Sequence, residues 1–294
     1  MVLLQQMIAL FLMMLVGYVC AKMGVLDAMA SKKISWLVVN VGNPAMILSA
    51  GMDNEIPVAP EKLMLVVVLA VIIYAALIVI SVFLPGLLCV EEQNAGIYRV
   101  MLIFSNIGFM GLPLISVLYG GESLLYTSIF FFPFNFLIYT YGVTSMTGEG
   151  ASLKQAMKKC LNIGVISVVF TFMLVIFGLQ IPDAVNQAIT MLANLTGPLC
   201  MIVIGASFVG ISPKELLGDY RLLIVCAIRL ILMPVIGLLV IRALTDNTLL
   251  AAVSFIILAT PSGSMVSMLA QEYDADYVTA SKGVALTMLL SVVT

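Results

Sequence analysis

Long runs of apolar residues, each closed by a few charged or turn-forming positions, follow one another along the whole chain. Ten such runs can be drawn, at 3–23, 31–52, 62–84, 96–118, 123–145, 160–180, 184–207, 219–241, 247–270 and 277–294. Each is close to the roughly 20 apolar residues that a helix needs to cross a bilayer. They are long and continuous, unlike the short alternating segments of a transmembrane β-barrel. The pattern predicts an all-α polytopic membrane protein with ten transmembrane helices. The first run has no basic stretch before it, and Lys22 follows it, so it reads as a span and not as a cleaved signal.

Composition supports the same reading and excludes others. Of 294 residues, 63% are hydrophobic and only 10% are charged, and the mean hydropathy is +1.19. A soluble domain carries about 25% charged residues. The chain has no histidine and a formal charge of -2, which leaves no histidine metal site and no basic surface for nucleic acid. The five cysteines, Cys20, Cys89, Cys160, Cys200 and Cys226, lie in or beside apolar runs and read as small hydrophobes. No phosphate-binding loop, nucleophile elbow or metal cluster is present, so the chain is not expected to be an enzyme or to hold a cofactor.

The basic residues orient the helices. With the N-terminus outside, one face collects Lys22, Lys32, Lys33, Arg99, Lys154, Lys158, Lys159, Lys214, Arg221 and Lys282, and the other only Lys62 and Arg242. The positive-inside rule then places both termini outside the cytoplasm. Arg229 is left within a span, and no Asp or Glu lies well inside one.

The longest polar connection, 146–159, divides the chain into a first half, 1–145, and a second half, 160–294. Five helices per half require the halves to insert with opposite topology, as two inverted repeats. Asn40 and Pro44 in the second run are matched by Asn194 and Pro198 in the seventh. The fourth run holds Ser105, Asn106, Gly108, Gly111 and Pro113, and the ninth holds Thr260, Pro261, Ser262, Gly263 and Ser264. Interrupted segments at corresponding positions mark the substrate site of repeat-built transporters. Helices 4 and 9 are therefore expected to be discontinuous and to cross.

Proline removes an amide donor and obstructs the carbonyl one turn earlier, and freed backbone groups in a membrane must be buried in protein or line a polar cavity. The stretches 106–113 and 259–264 are thus expected to meet inside. Pro113 and Pro261 suit the opening of a second half-helix, whose free amides and positive dipole end favour an anion. Asn106 is the leading candidate for substrate contact, with capping of freed backbone as the alternative. Ser105, Thr260, Ser262 and Ser264 add neutral donors and acceptors. Gly108, Gly111 and Gly263 allow close crossing or contact through their amides. Asn43 either reaches the same cavity or bonds across the bundle. Arg229 needs a partner: a substrate carboxylate, a helix C-terminal carbonyl, or an acidic residue near a membrane face.

SNIGFMGLPL at 105–114, the PSG break at 261–263 with AQEY at 270–273, Asn43-Pro44 and the Arg229…Pro234 pair together resemble the auxin efflux carrier family of membrane transporters. The resemblance spans essentially the whole chain and extends to the architecture of the bile acid:sodium symporters. It implies a secondary transporter for a small organic anion, with substrate beside Asn106, Pro113 and Pro261, and a homodimer. The short central connection is unlike that of many plant members and resembles compact bacterial ones. A carboxylate such as malate or malonate, and a bacterial inner membrane, are then the expectation. Elevator-type alternating access is implied, with the coupling ion, proton or sodium, left open. The competing readings are a sodium-coupled symporter of the bile-acid type, and a receptor or channel on the same scaffold.

Overall fold

The computed structural model describes residues 2–52, 60–90, 92–119, 121–148, 163–177, 181–209, 218–291 and 293–294. Most of the central connection, 149–159, lies outside them, as do Lys154, Lys158, Lys159, Cys160 and Lys214. In chain order the helices are α1 (Val2–Lys22), α2 (Ala28–Leu37), α3 (Asn43–Met52), α4 (Pro60–Leu87), α5 (Glu92–Ile103), α6 (Leu112–Tyr119), α7 (Gly121–Leu137) and α8 (Val143–Thr147). They continue as α9 (Ile163–Phe177), α10 (Asp183–Ala206), α11 (Tyr220–Ala227), α12 (Met233–Leu244), α13 (Thr248–Ala259), α14 (Ser264–Glu272) and α15 (Tyr277–Leu290).

Wide π turns interrupt this series. Val38–Gly42 joins α2 to α3, Ile107–Gly111 opens α6, Ile138–Gly142 joins α7 to α8, and Ile228–Leu232 joins α11 to α12. Three of these four turns end two residues before a proline, namely Pro44, Pro113 and Pro234. A proline ring cannot share space with the carbonyl one turn back and offers it no donor. Widening the preceding turn relieves the clash without ending the helix. The freed carbonyl then needs another donor. At the first turn the Tyr139 hydroxyl supplies one to Val39 O, at 2.8 Å.

Among the described residues four helices are long and apolar enough to cross a membrane: Met64–Leu87, Ile129–Thr147, Asp183–Ala206 and Tyr220–Leu244. This overturns the expected ten spans, and with them the two inverted five-helix repeats built around crossed helices 4 and 9. The physical reason lies in the breaks. The run 96–118 is divided into α5, a three-residue extended stretch, a π turn and α6. The run 247–270 is divided into α13 and α14. A 12-residue helix such as α5 or α13 reaches only about 18 Å. Tyr277–Leu290 is apolar but also shorter than a full span. Apolar length in sequence therefore overstates helical length.

The helices pack in two groups. In one, α1 lies along α10, and α3 packs on both α9 and α10. Gly17 and Gly205 bring the α1 and α10 backbones together, since a Cβ on either would meet the carbonyl of Ile202 or Met14 on the opposite helix. Small residues allow such close approach in membrane bundles. In the other group α4 packs on α5 and α7, α5 on α8, α12 on α13, and α15 on α11 and α14. Exposed apolar side chains such as Leu12, Leu15, Val71, Phe83, Val169 and Leu239 cover the outside. That surface suits lipid and not water.

The candidate site at the crossing of two helix breaks

α5 stops at Ile103 and α13 at Ala259. Each helix is followed by a short non-helical stretch, and the two stretches meet at a single antiparallel bridge with Ser105 opposite Ser262. Asn106 N–H donates to Pro261 O at 2.8 Å, and Gly263 N–H donates to Phe104 O at 2.8 Å. Four backbone groups freed by the breaks thus satisfy one another inside the protein, as an apolar surrounding demands. Ser262 is fixed further, its Oγ donating to Met101 O at 2.8 Å and its N–H to Thr287 Oγ1 at 3.2 Å. Gly263 is required by this approach: a Cβ there would lie 2.9 Å from Ser105 O.

Beyond the crossing both chains turn helical again, so two helix N-termini open on one side of it. The amides of Gly108 and Phe109 in the π turn have no acceptor among the described residues, and neither do those of Ser264 and Met265 in the first turn of α14. Four such orphan amides are inherent to any helix start. These four residues line one small cavity, together with Ser105, Asn106, Ile107 and Gly263 of the two broken chains. Asn43 and Met46 of α3 and Phe131 and Phe134 of α7 also line it. The two phenylalanines stack at 5.8 Å, and Phe134 meets Phe104 edge-on at 5.5 Å. Little space is left between the lining residues, about enough for one water molecule.

The candidates from sequence separate on this geometry. Asn43, Ser105, Asn106, Gly108 and Gly263 line the cavity. Asn106 Nδ2 reaches Ser264 Oγ at 3.4 Å, a long bond within the site. Thr260, Pro261 and Ser262 build the crossing and do not line the cavity. Pro261 sits in the extended stretch ahead of α14 and does not open the half-helix. Pro113 is the second residue of α6, already past the π turn. Gly111 is buried, but a Cβ there would meet nothing closer than 3.6 Å, so close crossing does not require it. Ser264, expected from sequence as a neutral donor and acceptor, lines the cavity too, whereas Met46, Ile107, Phe109, Phe131, Phe134 and Met265 complete the lining and carry no signal of a site in the sequence.

Arg229 takes a different place. It is fully buried, donating from Nη1 to Leu102 O and from Nη2 to Thr260 O, each at 3.1 Å. Those carbonyls belong to the C-terminal ends of α5 and α13, so one guanidinium holds the negative ends of both interrupted helices. The residues with free amides line the cavity, and Arg229, bonded to Leu102 O and Thr260 O, does not.

α2 and α14 meet at one end of the molecule. Ser35 Oγ donates to Gln271 Oε1 at 2.5 Å, both side chains being buried, and Lys32 pairs with Asp274 at 2.5 Å. Burial raises the Glu272 carboxyl above its ordinary value, with the Lys32 charge opposing the shift. α14 and the turn after it are therefore tied to α2 by one buried bond and one exposed ion pair.

Known sequences agree with this picture of a membrane carrier. The chain is 24% identical, over 95% of its own length and 92% of the relative's, to an uncharacterized transporter of Methanocaldococcus jannaschii. The sequence model of a family described as membrane transport protein matches residues 2–294. The chain belongs to that family, the auxin efflux carrier family of transporters, and is a transport protein rather than an enzyme.

Proposed function

We propose that this protein is a secondary carrier of a small organic carboxylate, of the malate or malonate kind, working by elevator-type alternating access. The observation that carries this reading is the convergence of two helix N-termini on one cavity. Unpaired amides and aligned backbone dipoles favour an anion there without a cationic side chain. The neutral groups of Asn43, Asn106 and Ser264 add orientation. No carboxylate or histidine lines the cavity, so no side chain in it carries a coupling proton. The cavity also draws residues from both helix groups, α3 from one and α7 and α14 from the other, so sliding of one group against the other would open it. A bacterial inner membrane, both termini outside and a homodimer fit the same reading.

The test is flux in liposomes holding the purified protein. Uptake of labelled malate or malonate that saturates and is accelerated by unlabelled substrate on the opposite side is the expected result. Flux that rises without limit would instead make the protein a channel.

A further inference from the structure

Asn43 is fully buried, and its Oδ1 has no hydrogen-bond partner among the described residues. The orientation of its amide is set by its neighbours. Asn135 Nδ2 donates to Phe131 O at 2.8 Å, which turns Asn135 Oδ1 toward Asn43 as an acceptor. The Tyr139 hydroxyl donates to Val39 O at 2.8 Å, which leaves only its lone pairs for Asn43. Both neighbours therefore require a donor, and Asn43 Nδ2 serves both, at 2.9 Å and 3.1 Å. Rotating the amide would set oxygen against oxygen twice. Neither Asn135 nor Tyr139 lines the cavity, whereas Asn43 does, so the branch turned to the site is the carbonyl.

The site thus combines two kinds of groups. The helix N-termini offer donors only, and Asn43 Oδ1 offers an acceptor only. A simple carboxylate satisfies the first and leaves the second buried and unpaired, which is costly. We infer that Asn43 Oδ1 is a specificity-determining acceptor, and that the transported anion brings an O–H donor to it besides its carboxylate. The donor is a hydroxyl, as in a hydroxycarboxylate, or the remaining proton of a half-ionised dicarboxylate. This inference rests on the carboxylate reading above and narrows it.

The test compares the affinities of three ligands for the purified wild-type protein. Malate carries the hydroxyl, 2-methoxysuccinate keeps the oxygen without its proton, and succinate lacks both. At about pH 8, with carboxyls ionised, a hydroxyl source gives malate an advantage of about tenfold or more over the other two. An acid source gives no such advantage, but all three tighten about tenfold or more on going to about pH 5. Asn43→Leu removes whichever discrimination is found, and the wild-type series decides the matter even where that variant fails to fold. Equal affinity of all three at the higher pH, unchanged at the lower, overturns the role of Asn43 while leaving a carboxylate carrier. Absence of binding by any of them at either pH overturns the carboxylate reading itself.

Discussion

The amide of Asn106 donates to the carbonyl of Pro261 at 2.8 Å, and this bond joins the two helix breaks on which the site is built. It forms because each break leaves backbone groups that neither helix can use. With its partner from Gly263 to Phe104, it fixes the distance between the two helix N-termini that face the cavity.

Gly263→Ala should separate the crossing. The added Cβ would lie 2.9 Å from Ser105 O and 3.4 Å from Phe104 O, both backbone atoms that cannot swing aside. A loss of about 1–3 kcal/mol is expected, read as a lower unfolding midpoint in detergent, with weaker carboxylate binding. Gly111→Ala, with nothing closer than 3.6 Å, should leave both unchanged.

Arg229→Gln should cost stability more than affinity. It removes the charge that two carbonyl oxygens share, and charge-assisted bonds are worth about 1.5–3 kcal/mol each. Arg229→Lys should recover part of the loss, since an ammonium on a single stem cannot reproduce the planar fork. Carboxylate binding by the folded fraction should persist. Intact stability with abolished binding would put the guanidinium in the site after all.

Gln271→Leu should loosen the contact between α2 and α14. Its Oε1 accepts from Ser35 at 2.5 Å in a buried setting, so the change strands the serine hydroxyl. In a cysteine-free background carrying Ser264→Cys, water-soluble thiol reagents should then label the cavity faster. Unchanged labelling would show that the contact does not close the site.

The breaks were legible in sequence because proline acts locally: Pro261 with Gly263, and Pro113 with Gly108, announce that the helix ladder fails nearby. Where helix resumes was not legible. Pro113 was read as the start of a half-helix, but a π turn had already absorbed its clash from Ile107 onward. The same cause defeated the count of spans, since an apolar run does not say how many of its residues are helical. Asn43, Ser105, Asn106, Gly108 and Gly263 reached the cavity as read, their polarity or size being unusual at that depth. The partners of Arg229 were only one of three alternatives, because main-chain carbonyls leave no mark in a sequence. Asn135 and Tyr139, which orient Asn43, sit in an aromatic helix that reads as packing until the fold brings it against α3.

The claim that the crossing binds an anion through amides and neutral side chains is tested most directly at Asn106. Asn106→Asp nearly preserves shape but places a negative charge beside the two helix N-termini. Equilibrium binding of labelled malate to purified wild-type protein should saturate. Binding to Asn106→Asp at neutral pH should fall by a factor of about 100 or more, as a like charge held close at a buried position requires, with the fold intact by circular dichroism. Undiminished malate binding by Asn106→Asp would contradict an anion site at this crossing.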